Sequence, residues 1–153
     1  MKKEALKKAW FAAALVTGAI ISAIFVYAMV VETASRMLSL KAPVTGTAAA
    51  AVKYALYILG VCAVFSLKFI RPAMGAGGKT AAEALTALVK ESAVTAAVCE
   101  VPAFAGLVLF FLTGGYWDFY LLAMFSAGTE LFFFPKYAVW EEKIRNGYGL
   151  TLE

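Results

Sequence analysis

Two carboxylates stand in stretches that are otherwise apolar. Glu100 is the only charged residue between Ser92 and Thr113, and Glu130 lies in the run from Trp117 to Val139. An acidic side chain at the centre of a membrane helix costs about 2.5–3.5 kcal/mol on insertion scales, so such a group faces a partner or a polar cavity. The placement of the two is correlated. Glu100 lies fourteen residues before Gly114 and Glu130 fifteen after Gly115. At a rise of about 1.5 Å per residue, each is about 21–22 Å from the Gly114-Gly115 turn, at one level of a helical hairpin. Both sit on strips of small residues, Ala96 and Ala103 around Glu100, and Ala123, Ser126 and Ala127 before Glu130. Such strips mark close helix approach in lipid. The pair is therefore expected to face the bundle interior, where two neighbouring acids cannot easily both ionise and one holds a proton.

Pro102 and Pro135 reinforce the site. A proline inside a helix cannot donate to the carbonyl four residues back, which frees the carbonyls of Val98 and Leu131. Freed carbonyls beside a carboxylate are what proton and sodium sites in membrane helices use. Ser126 supports the site as a member of the strip. Lys68, near the same level as Arg71, is expected either to pair with Glu100 or Glu130 or to snorkel toward the headgroups. Two readings follow: a packing lock, with each glutamate protonated and bonded to the partner helix, or a site that handles a proton or cation.

Other chemistries lack their residues. The chain has no histidine, which excludes histidine-ligated haem, histidine-based zinc sites and imidazole-based triads. No metal-ligand cluster and no nucleophile with a visible base stand in the sequence, so no enzyme activity, cofactor or metal is expected. Cys62 and Cys99 each fall inside an apolar helix and read as buried free thiols. Residues 73–80, Ala-Met-Gly-Ala-Gly-Gly-Lys-Thr, miss the phosphate-loop pattern by one glycine, since Ala73 stands first. They follow a membrane helix ending at Arg71-Pro72 where that loop needs a strand, so a glycine turn is expected instead.

The elements that must hold these residues are membrane spans. Hydrophobic residues make up 63% of the 153 and charged ones 16%, against roughly 45–50% and about 25% in soluble domains. Mean hydropathy is +0.80. Runs at 10–31, 48–70, 92–113 and 117–139 are each long enough to cross a core that needs about 20 apolar residues. The expectation is an all-α, four-helix membrane domain over 1–153, with a short surface helix at 80–90 and a tight hairpin between spans three and four. Of the fourteen Lys and Arg residues, Arg36, Lys41 and Lys53 fall on one side and the other eleven on the side of the N-terminus. That asymmetry predicts both termini in the cytoplasm. The charge of +4 then suits anionic lipid, and no nucleic-acid-binding pattern competes. Trp10, Trp117, Tyr137 and Trp140 fall at expected interfaces. Glu32 and Asp118 sit at outer interfaces and call for no special account. Phe132-Phe133-Phe134 is expected to face lipid, and Asn146-Gly147-Tyr148-Gly149 to fray. Ala14, Gly18 and Ser22 form a further small-residue strip, suited to packing within the bundle or between protomers.

The stretch Cys99-Glu100-Val101-Pro102-Ala103-Phe104-Ala105-Gly106-Leu107-Val108 resembles the ion-carrying helix of rotary ATP synthase proteolipid (c) subunits, and Arg71-Pro72 is similar to that family's polar loop. The resemblance implies that Glu100 is a reversible proton or sodium carrier. It departs from the family in having only Gly60 where span two would carry a glycine ladder, and in placing its carboxylates on spans three and four. The whole pattern, with Phe134-Pro135-Lys136-Tyr137 and Trp140-Glu141-Glu142, is similar to small four-helix bacterial inner-membrane proteins of unassigned activity, which implies a multi-pass inner-membrane location. The expected role is a non-catalytic structural or assembly component that contacts the lipid bilayer and docks other membrane subunits or itself. The alternative is a proton- or sodium-binding, translocating subunit using Glu100 and Glu130.

Overall fold

The computed structural model describes residues 3–37, 42–75 and 80–147. Of these, 93% are helical and none is in a strand. Five helices follow in order: α1 (Lys3–Met37), α2 (Gly46–Gly75), α3 (Ala81–Thr113), α4 (Tyr116–Phe133) and α5 (Tyr137–Gly147). Three of them, α1, α2 as far as Met74, and α3, are long and apolar enough to cross a membrane.

Local sequence sets the boundaries. At the start of α3 the Thr80 hydroxyl accepts from the Glu83 N–H and the Glu83 carboxylate accepts from the Thr80 N–H, a reciprocal capping box. Nothing breaks the helix between Lys90 and Ser92, so α3 runs unbroken for 33 residues, about 50 Å. The expected surface helix at 80–90 is thus the first turns of the third span. Thr80, the last residue of the phosphate-loop look-alike, is a helix cap, Ala73 and Met74 lie in the last turn of α2, and residues 76–79 lie outside the described residues. Helix α3 ends where Gly114 takes φ 72°, a left-handed position glycine fills without strain, and Gly115 leads into α4. The tight hairpin is as expected.

Around this hairpin, α3 is the central helix and packs against α1, α2 and α4, while α1 also touches α4 and α5. Two glycines set the closest approaches. A Cβ on Gly106 would lie 3.1 Å from Leu122 Cβ and 3.2 Å from the Phe119 backbone of α4. One on Gly60 would lie 3.2 Å from Pro102 Cα, so α2 sits directly on the proline of α3. One core joins Ile24, Val31 and Ala34 of α1 to Ala103, Phe110, Phe119 and Ala123. The second joins Leu6, Ala13 and Leu88 to Trp140 and Ile144 of α5. Large apolar side chains such as Phe25, Met29, Phe65, Phe69, Met124 and Phe132 point outward, as the lipid-facing side of a membrane bundle requires.

Several expectations need correction. Pro135 is not inside a helix: α4 stops at Phe133, and α5 restarts at Tyr137. A proline cannot donate the N–H that would continue the ladder. The Leu131 carbonyl is not free either, since it accepts from the Phe134 N–H at 3.4 Å. The chain after Trp140 is the remainder of α5 as far as Gly147, with Ile144 buried, and Tyr148 and Gly149 lie outside the described residues. Cys62 is exposed and only Cys99 is buried. Trp140 is buried in the second core, and Trp10 packs edge-on against Tyr137 and donates to the Pro135 carbonyl at 2.9 Å. Of the four interface aromatics, Trp117 alone is fully exposed.

Candidate functional site

Glu100 of α3 and Glu130 of α4 lie within one turn of the level at which Cys99 and Ser126 join the two helices. The Ser126 hydroxyl of α4 donates to the Cys99 carbonyl of α3 at 2.5 Å, fixing the two helices at this level. One turn after Ser126 on the same face, Glu130 is 1% exposed. It stands near Glu100 and Cys99 of α3 and near Tyr27 of α1.

The two carboxylates differ in their partners. The Tyr27 hydroxyl donates to Glu100 Oε1 at 2.5 Å, a bond between α1 and α3 across 73 residues of sequence. Neither oxygen of Glu130 has a hydrogen-bond partner among the described residues. The hydroxyls nearest it in sequence are committed elsewhere: Ser126 to the Cys99 carbonyl, and Thr129 to the Ser126 carbonyl at 2.8 Å. No hydrogen bond joins Glu100 to Glu130. Lys68 is exposed and forms no ion pair with either acid among the described residues. Pro102 is buried in α3 below Gly60 and leaves the Val98 carbonyl without its usual donor. Pro135 ends α4, so the last turn Glu130–Phe133 carries the negative end of the helix dipole beside the carboxylate.

The remaining interior acids all have partners. At one end of the bundle Glu32 accepts from Tyr120 at 2.8 Å, from Tyr116, and from Arg36 at 3.0 Å. Also at that end Asp118 meets Lys53 at 2.7 Å and Tyr57 at 2.9 Å. At the other end Glu91, 5% exposed, accepts from Arg71 at 3.0 Å and from Lys143 at 2.8 Å. These clusters were not legible as sites. Glu32 and Asp118 are structural anchors rather than idle interface charges, because Tyr57, Tyr116 and Tyr120 come from other helices.

The Ala14, Gly18 and Ser22 strip is not a contact face within the bundle: a Cβ on Gly18 would meet nothing within 4 Å, and Ser22 bonds its own helix at the Gly18 carbonyl. The described residues contain no group of three or more Cys, Asp or Glu placed to hold a metal ion. Comparison of the chain with protein-family profiles, curated proteins and solved structures finds no match. Any functional reading therefore rests on the geometry of these side chains.

Proposed function

We propose that this protein is a four-span bacterial inner-membrane protein, both termini cytoplasmic, in which Glu130 is an exchangeable proton or sodium site and Glu100 is its fixed neighbour. The observation that carries this is the buried Glu130 carboxyl with no partner. An unpaired charge in such surroundings is costly enough that the group must take up a proton or a cation. A purely structural glutamate would be bonded to the opposite helix, as Glu100 is to Tyr27. The negative end of α4 beside the carboxyl favours a positive ligand, as the helix ends of broken membrane helices do. In this reading α4, at 18 residues and about 27 Å, is the fourth span and α5 lies at the cytoplasmic surface.

The Glu100–Tyr27 bond favours a second role alongside the first. It fixes α1 on α3, so one acid locks the bundle while the other exchanges. A non-catalytic component of a larger membrane assembly would present outward faces such as the Ala14, Gly18 and Ser22 strip to other subunits or to a second copy.

The test uses purified protein in detergent. Sodium should raise thermal stability increasingly as pH rises and protons compete less. At a concentration a hundred times its dissociation constant, the gain is about 2.7 kcal/mol. If the ligand is the proton alone, sodium has no effect, and dicyclohexylcarbodiimide, which attacks the protonated carboxyl, labels Glu130 less as pH rises. Glu130→Gln should fold and lose these responses. A Glu130→Gln variant matching the wild type in stability, with pH-independent labelling and no sodium effect in the wild type, would leave only the structural role.

A further inference from the structure

A cavity of about 1120 Å³ opens between α2, α3, α4 and α5 at the end of the bundle that holds Glu91. Its charged lining is Lys68, Arg71, Glu91, Glu142 and Lys143. Arg71 and Lys143 share the single carboxylate of Glu91, so that triad keeps one positive charge. Lys68, one turn before Arg71 on α2, has no ion pair among the described residues, while the opposing Glu142 is exposed at the rim. Arg71 is held in place by its Nε bond to Glu91 and by stacking 5.1 Å from the Phe133 ring centre. Its Nη atoms carry no hydrogen bond among the described residues, which leaves the two-pronged edge that binds phosphate oxygens available.

The other walls are apolar. Val64, Phe65, Phe125, Phe133 and Val139 line the cavity, and Phe65 is 69% exposed on the outward side. The space is therefore polar and cationic at the helix end and apolar where it opens toward the bilayer. It is larger than the usual 300–1,000 Å³ of a small-ligand pocket. A water-soluble anion would satisfy the cations and leave the aromatic walls uncovered. A zwitterionic lipid would bring its ammonium against Lys68 and Arg71.

We propose that this cavity binds an anionic phospholipid, its phosphodiester against Lys68 and Arg71 and its upper acyl chains along Phe65, Phe125 and Phe133. The proposal rests on the membrane reading above, but not on the exchange chemistry of Glu130. Basic pockets between helices at the cytoplasmic side are where such headgroups bind.

The test is a lipid titration of the detergent-purified full chain, read by native mass spectrometry at one pH without sodium. Its outcome is therefore independent of whether Glu130 exchanges. The probes are phosphatidylglycerol, phosphatidylcholine and inorganic phosphate. Phosphatidylglycerol should bind in preference to phosphatidylcholine, and inorganic phosphate should not displace it. Lys68→Gln, which removes an exposed charge without unpairing Glu91, should raise the phosphatidylglycerol dissociation constant about fivefold. Lys90→Gln removes an exposed charge from α3 outside the cavity and should leave it unchanged. Equal binding of the two lipids, an equal effect of the two substitutions, or displacement by inorganic phosphate would each overturn the proposal.

Discussion

Removing the Tyr27 hydroxyl tests the division of labour between the two acids. Tyr27→Phe deletes one oxygen and, with it, the 2.5 Å bond to Glu100. Hydrogen bonds between side chains of membrane helices average about 0.6 kcal/mol, with a maximum near 1.7. Bonds to an ionised acceptor are roughly twice as strong as neutral ones. This bond is short, half-buried and spans two long helices, so a coupling of about 1.5 kcal/mol is expected, about tenfold in the unfolding equilibrium. The measurement is a double-mutant cycle of Tyr27→Phe with Glu100→Leu, by reversible unfolding in mixed micelles. Glu100→Gln keeps a carbonyl acceptor, so Tyr27→Phe in that background should cost about half as much. A second readout moves with function: an unlatched Glu100 should become a target for carboxyl labelling alongside Glu130. A coupling below about 0.5 kcal/mol in folded variants, with no new labelling, would refute the latch and return Glu100 to the same standing as Glu130.

Two further outcomes follow from packing and charge. Gly106→Ala forces a methyl against the Phe119 backbone and Leu122 and should destabilise the α3–α4 pair by about 1–3 kcal/mol, whereas Gly128→Ala, with nothing within 4 Å, should gain up to about 1 kcal/mol of helix preference; unfolding in mixed micelles measures both, and equal signs would contradict the close approach. Glu91→Gln leaves Arg71 and Lys143 without their shared carboxylate and should cost about 2 kcal/mol, less than a fully buried pair because both cations are partly exposed. Helix α5 should loosen first, seen as faster tryptic cleavage at Lys143 and Arg145; unchanged cleavage would show that the apolar contacts of Trp140 and Ile144 hold it alone.

The elements were largely legible because apolar run length and glycine turns are local signals. The Gly114-Gly115 hairpin shows this: one left-handed residue reverses the chain, and the equal counts to Glu100 and Glu130 translate into neighbouring side chains. What was not legible depends on which face of a helix meets which neighbour. Tyr27 lies 73 positions from Glu100, and nothing in its own segment distinguishes it from Tyr54, which is exposed. Glu91 shows the same limit. It stood at the boundary of an expected surface helix, but continuity of α3 carries it under Arg71 and Lys143. Pro135 was misplaced because the hydropathy of Leu131 to Phe134 continues up to it, and only the missing N–H ends the helix there.

Glu130 differs from the other interior acids in what surrounds it. Glu32, Asp118, Glu91 and Glu100 each bind a side chain delivered by another helix, and each of those partners is a tyrosine, lysine or arginine long enough to reach. Glu130 stands on a face whose hydroxyls, Ser126 and Thr129, already donate to backbone carbonyls. On α3 the residue opposite Ser126 is Cys99, with Ala96 one turn away, both small and buried. Small residues there suit the close approach of α4 to α3 that the Ser126–Cys99 bond requires. The proposed exchange at Glu130 predicts that Ala96→Gln, which sets a long amide donor on this face of α3, suppresses the pH dependence of carbodiimide labelling at Glu130; unchanged labelling in a folded variant would refute it.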